Sequence, residues 1–233
     1  MFACRTIRVA LAARPRTRVI ISSSRRTTQR RVLNTGSGPF DRDKLHPAFR
    51  NHGWSEVRLD IDARVAPDLI GSVTDMRAFA PDASFDAVWS SHNVEHLHAH
   101  EVLPTFSEFT RILKPDGFAL ITCPDLQAVA QLVAEGKMDH VVYVSPAGPI
   151  TPLDMMFGHS ASIGAGNRFM AHNTGFTAER LGRVGLDAGF TEVRIGKGRF
   201  FDIWALALMP EADLASIAPL FHGTDQSDLL RWR

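Results

Sequence analysis

A mostly parallel α/β sheet with helices wound on both faces is the architecture this sequence predicts, and three observations predict it. Short strand-like runs alternate with helical stretches between residues 32 and 123, the order that builds parallel sheets through helical crossovers. The first run ends in Gly36-Ser37-Gly38, where glycine lets the backbone turn sharply and approach a ligand. Near the carboxyl end, runs 191–196 and 200–208 stand close together around the turn residues Lys197-Gly198. That closeness predicts an antiparallel hairpin at the edge of the sheet.

Each element has its own signal. Val32-Leu33-Asn34 reads as a buried strand, and 41–53 as a short helix and loop. Glu56-Val57-Arg58-Leu59-Asp60-Ile61 alternates polar and apolar residues as a strand does. Residues 68–73 form a third strand, and Phe85-Asp86-Ala87-Val88-Trp89-Ser90 a fourth after the turn-like Pro81-Asp82-Ala83-Ser84. From 100 to 113, apolar residues at 102, 103, 106, 109, 112 and 113 keep a helical period. Lys114-Pro115-Asp116-Gly117 stops that helix, and 118–123 is a fifth strand. Thr177 is a fitting N-cap and Gly189 a fitting stop for a helix over 177–188. Residues 126–176 carry little regular signal, and so long an irregular stretch marks a functional loop or lid. A short tail, with a helix over 211–220, closes the chain.

Composition narrows the function. Of 26 Lys and Arg, nine fall in residues 1–31, which hold no acid; the remaining 17 are outnumbered by 25 Asp and Glu, a net charge of −8. An acidic body argues against a nucleic-acid groove across it. The Arg-rich leader, 1–30, admits three readings: a non-native or disordered arm, a mitochondrial transit peptide, or a functional basic arm. The expected location is cytoplasmic, or mitochondrial under the second reading. Cys4 and Cys123 are too far apart in sequence to imply a disulfide framework and lack zinc-site spacing. No apolar run reaches the 18 or so residues of a membrane span.

The glycine loop is followed, 22 positions after Gly38, by Asp60 at the end of a strand-like run, a spacing at which an acid can take ribose hydroxyls. The chain thus looks built to hold a nucleoside. The dinucleotide fingerprint is incomplete, since no third glycine follows Gly36-Ser37-Gly38-Pro39-Phe40-Asp41. A nucleotide-linked oxidoreductase is therefore the weaker reading, beside a binding module without catalysis.

Four blocks in order carry a resemblance to a known family. They are Val32-Leu33-Asn34-Thr35-Gly36-Ser37-Gly38-Pro39; Arg58-Leu59-Asp60-Ile61-Asp62; Ser84 through Leu97, with Ser90-Ser91-His92-Asn93-Val94-Glu95-His96-Leu97 at its end; and Arg111-Ile112-Leu113-Lys114-Pro115-Asp116-Gly117-Phe118. From about residue 31 to 209 the chain resembles class I S-adenosylmethionine-dependent methyltransferases of the type 11 kind. The resemblance implies a Rossmann-like, seven-stranded sheet in one domain over 31–210, with 126–176 as a substrate lid and 211–233 as a tail. It implies S-adenosyl-L-methionine as cofactor and a small-molecule methyl acceptor.

It also implies a cofactor site. The amino-acid end would lie over Gly36, Ser37 and Gly38, with Asn34 beside them where an acid is common. Asp60 would accept from the ribose, with Ile61 next to it and Asp62 as the fallback. In the adenine loop Ser72 stands where relatives place an acid, and either Asp75 or the backbone groups of Val73 and Met76 would take over that contact; Ser91 and His92 would contact the methionine end. Apart from the resemblance, the residues of 126–176 themselves offer His159 or His172 as general base and Arg168 as a holder of a carboxylate or phosphate, or else all three as ties for a long loop. No metal is implied, because Glu95-His96-Leu97 matches the family's motif in enzymes that need none.

Overall fold

A computed structural model describes residues 29–51 and 53–231; the expectations for the leader fall almost wholly outside them. The chain runs through β1 (Arg30–Thr35), β2 (Trp54–Asp60), β3 (Leu69–Ile70), β4 (Phe85–Ser91), α1 (Val102–Ile112) and β5 (Leu113–Pro124). The segment after β5 follows with α2 (Leu126–Ala134), the hairpin β6 (Tyr143–Ser145) and β7 (Gly148–Ile150), α3 (Pro152–Phe157) and α4 (Ser160–Gly164). Then come α5 (Ala178–Asp187), β8 (Glu192–Lys197), β9 (Asp202–Leu208) and α6 (Leu214–Ile217).

Seven strands form one sheet in the order β3-β2-β1-β4-β5-β9-β8. All pairs from β3 to β5 are parallel, and β9 runs antiparallel to both β5 and β8. The expected sheet and its terminal hairpin are present. The central strands are apolar on both sides because both faces are covered. Leu33, Leu59, Val88 and Ile121 face α1 and α5, with Phe106, Phe109 and Leu181 packed on them. Val32, Trp89, Leu120 and Leu206 face the opposite layer, which contains Phe49, Trp54, Phe221 and Leu229.

That second layer departs from expectation. No continuous helix covers 41–53; two 3₁₀ turns stand there, Arg42–Lys44 and Pro47–Phe49. Pro47 has no N–H to donate and would clash inside a longer helix. Much of this face is instead closed by the end of the chain. Pro219 breaks the expected 211–220 helix into α6 and a 3₁₀ turn, Ala218–Phe221, and Phe221 reaches the core at 0 % exposure.

Other boundaries shift for local reasons. β5 begins at Leu113, which pairs with Phe85, before the register jumps to Phe118 opposite Ala87. Lys114–Gly117 is accommodated at that irregularity, where Lys114 Nζ meets Asp86 Oδ1 at 2.6 Å. β3 is two residues long, since Gly71 N–H already closes on Asp60 O at 3.1 Å and Ser72 turns the chain onto Thr74. α5 starts as expected, with Thr177 Oγ1 accepting from Arg180 N–H.

The 126–176 segment is more ordered than its sequence suggests. Its elements share a small core of Val129, Ile150 and Met155, joined by Tyr143 and Phe201. α3 opens with a capping box: Thr151 Oγ1 accepts from Asp154 N–H, and Asp154 Oδ2 accepts from Thr151 N–H. Among the described residues, no helix is long and apolar enough to cross a membrane.

Emptying the Phe221 site tests whether the terminal segment belongs to the main core. Phe221→Ala should lower the unfolding free energy by about 3–5 kcal/mol, measured by urea denaturation. An unchanged midpoint would mean that this segment packs independently.

Candidate functional site

The carboxyl ends of β1, β2, β4 and β5 meet on one edge, where open α/β sheets place their ligands. At the end of β1, Gly36 and Gly38 hold φ of +63° and +61°, a region that side chains disfavour. Asp60 fastens this loop to β2. Its Oδ2 accepts from Gly38 N–H at 2.8 Å and its Oδ1 from Asp62 N–H at 2.9 Å. Ser37 N–H donates to Leu59 O at 3.1 Å, and Arg58 Nη2 donates to Gly38 O at 2.8 Å. Each Asp60 oxygen keeps acceptor capacity beyond its single bond.

Asn93 joins the loop from β4, a neighbour that sequence reasoning did not single out. A Cβ on Gly36 would lie 2.3 Å from Asn93 Nδ2, and Asn93 Oδ1 is buried without a hydrogen-bond partner. Its signal in the sequence was its position directly after His92, at the end of the fourth strand.

The remaining expected cofactor residues divide. Ile61 stands exposed just past β2, Ser91 is the last residue of β4, and His92 follows it. Ser72 shares a hydrogen bond with Thr74 Oγ1 at 2.8 Å. Asp75 pairs with Arg77 at the surface, and that pairing holds its carboxyl below the ordinary range. Met76 is a correction: its side chain is fully buried and its N–H is taken by Glu108 Oε2 at 2.6 Å, so it offers no adenine contact. Asn34 lies near the end of β1. It is 5 % exposed and donates to Glu56 Oε1 at 2.7 Å, bracing β1 against β2. The fallback Asp62 caps the next turn and pairs with Arg64.

Beside this loop, a cavity of about 520 Å³ opens between the strand ends and the 126–176 segment. His92, Tyr143, His159, His172, Phe200 and Trp204 are among its walls. Both expected bases therefore reach one cavity. Arg168 opens a 3₁₀ turn, Arg168–Met170, and is not among the residues that line this cavity. His159 Nδ1 lies 2.7 Å from Ser162 Oγ. His172 Nδ1 donates to Met155 O at 2.9 Å, and burial pulls its pKa down.

The segment just after β4 brings a His–Glu pair to the cavity. His92 has φ of +48°, a strained conformation of the kind that concentrates at functional sites. Its N–H bonds Thr122 O at 2.9 Å, and its Nδ1 lies 3.1 Å from Glu95 Oε1. Desolvation opposes its charge, but Glu95 outweighs this and raises the His92 pKa. Glu95 is 1 % exposed. Burial pushes its carboxyl up, yet the His92 hydrogen bond and the fields of His92, His96 and His172 outweigh burial and hold it below the ordinary range.

Gly158 gives the cavity wall its shape. At φ of +98°, a Cβ there would lie 1.9 Å from Met170 O, so only glycine allows 157–158 and 171–172 to pass this closely.

This sheet order, with helices packed on one face and an antiparallel last pair of strands, is a Rossmann-like α/β fold. Residues 45–121 match the family model described as a methyltransferase domain. Among solved structures, a SAM-dependent methyltransferase from Archaeoglobus fulgidus is 16 % identical, with a TM-score of 0.50 over 78 % of this chain and 87 % of that one. The PH0226 protein from Pyrococcus horikoshii OT3 is 15 % identical, with a TM-score of 0.53 over 79 % and 84 %. A SAM-dependent methyltransferase from Methanosarcina mazei is 16 % identical, with a TM-score of 0.50 over 77 % and 92 %. At these identities the likeness is one of fold. No curated protein matches the chain.

Asp154 makes the cavity wall acid-sensitive. Burial opposes its ionisation, but hydrogen bonds from Ser160 and Thr151 outweigh it and lower its pKa from 3.8 to about 2. A folded pKa below the unfolded one stabilises the protein above pH 3.8, and this stabilisation is lost as pH falls through 2. Asp154→Asn should therefore flatten the decline of the thermal midpoint between about pH 4 and 2. An acid limb identical to wild type would refute the coupling.

Proposed function

We propose that this protein transfers the methyl group of S-adenosylmethionine to a small-molecule acceptor bound in the 520 Å³ cavity. One observation carries the reading: a glycine loop locked to Asp60 stands beside a cavity at the carboxyl edge of the sheet.

The residues fit the cofactor. Gly36 and Gly38 leave the loop without side chains where an amino-acid moiety needs close approach. Asn93 Oδ1, buried and unpartnered, is an acceptor suited to an ammonium. Asp60 has acceptor capacity left for two ribose hydroxyls, and exposed Ile61 offers an apolar surface for the adenine. When bound, the cofactor supplies an electrophilic methyl on a sulfonium.

The chain's part is then alignment and exclusion of water. In-line attack needs the acceptor atom held close to the methyl, and positioning of this kind supplies much of the rate. Tyr143, Phe200 and Trp204 give the cavity apolar walls. In the tautomer whose Nδ1 donates to Ser162, His159 has its Nε2 lone pair available to take a proton from a hydroxyl or amine. A cavity of this size suits a small molecule, and the acidic body argues against a nucleic acid.

Titration calorimetry tests the cofactor site. S-adenosylhomocysteine should bind, NADH should not, and Asp60→Ala should weaken binding by about 10–100-fold with the far-ultraviolet spectrum retained. Unchanged affinity would place the ribose elsewhere, and NADH binding alone would favour an oxidoreductase. With labelled cofactor and a panel of phenols, amines and carboxylates, His159→Gln should cut kcat by about 10²–10⁴ and leave cofactor affinity intact. An unaffected kcat would remove His159 as the base.

A further inference from the structure

Glu95, His96 and His172 present one potential ligand atom each, and those atoms all lie within 4.8 Å of one another. Three independent features prepare them to bind a cation. First, His96 Nδ1 lies 3.0 Å from Ala171 O, and His172 Nδ1 lies 2.9 Å from Met155 O. A carbonyl oxygen only accepts, so both rings carry a proton on Nδ1, and in the neutral ring the lone pair is on Nε2. Backbone carbonyls orient metal-binding histidines in this way.

Second, Glu95 Oε2 is buried without a partner, while Oε1 is occupied by His92. A desolvated carboxylate oxygen with no donor is costly, and a cation relieves that cost. Third, the backbone holds the two ligand segments together. Asn173 and Thr174 N–H both donate to Glu95 O, at 2.9 and 3.2 Å, and Asn173 Nδ2 donates to His96 O at 2.8 Å.

We infer that Glu95, His96 and His172 form a site for a first-row divalent transition ion, with Zn²⁺ the foremost occupant. Two imidazoles and one carboxylate suit such ions better than Mg²⁺ or Ca²⁺, which prefer oxygen ligands. Bonds of about 2.0–2.2 Å require the three atoms to draw closer than their present limit of 4.8 Å. All three residues line the cavity, so the open coordination positions face the space assigned to the acceptor. Three protein ligands with a free position is the form of a catalytic metal site. The site stands on its own geometry and does not depend on the methyltransferase reading.

The test uses the full chain, stripped with a chelator and desalted. Titration with Zn²⁺ should show one ion per chain, bound tighter than about 1 μM. His172→Ala and Glu95→Gln should each weaken it at least about 100-fold, in line with loss of a ligand. His96→Gln, a substitution at a partly exposed residue, repeats the measurement should either of these fail to fold. Replacing the stacked surface pair His98 and His100 by Ala should change nothing. Co²⁺ loaded in place of Zn²⁺ should show visible bands that disappear in His96→Gln. Absence of stoichiometric binding, or binding that survives all three ligand substitutions, overturns the site. S-adenosylhomocysteine affinity is measured on the same samples. If that affinity persists while no metal binds, the metal site alone is refuted; if metal binds without it, the cofactor reading alone fails.

Discussion

The arrangement of the cavity depends on Glu95. Its carbonyl oxygen receives the N–H groups of Asn173 and Thr174, and its carboxylate is kept ionised in a buried position by surrounding histidines. One residue thus ties the end of β4 to the far end of the 126–176 segment, electrostatically and through the backbone. A buried carboxylate is tolerated only where hydrogen bonds and charges answer it. His92 supplies the answering hydrogen bond on one oxygen, at the cost of a strained backbone.

The sheet determines where this happens. β1 and β4 lie adjacent and parallel, so their carboxyl ends emerge side by side, and the loops that follow them must share one edge. The Gly36–Gly38 turn takes one side of that edge, braced by Asp60 from β2. His92 and Glu95 take the other, and Asn93 stands between them against Gly36. The glycine loop and the cavity are neighbours because the strands are neighbours. β9 contributes Asp202 and Trp204 to the same cavity because it runs antiparallel, which brings its beginning to the edge where β5 ends.

The two faces of the sheet are closed by different means. α1 and α5 cover one with regular amphipathic helices. Pro47 and Pro219 deny long helices to the other, and short turns carrying Phe49 and Phe221 fill it. Bulky aromatic side chains compensate for missing helical length, since burial depends on apolar area and not on the regularity of the backbone that delivers it.

Much of the fold was legible from local pattern. The period-2 run at 56–61, the helical period from 102 to 113 and the Thr177 cap all act over a few residues, and each appears where its pattern placed it. The glycine loop and Asp60 were legible for the same reason: a positive-φ turn and a strand-end acid leave a residue-type signature. Lengths were less legible where a proline or a side-chain bond intervened, as at 41–53 and β3. Met76 was misplaced because its N–H is claimed by Glu108, a partner 32 residues away. The sequence alone determined a wound parallel sheet with a glycine turn beside a strand-end acid, because strand and turn propensities are local. Tertiary structure alone decided that Glu95, His96 and His172 meet, since Asn173 bonds His96 across 77 residues and no local preference specifies a contact at that range.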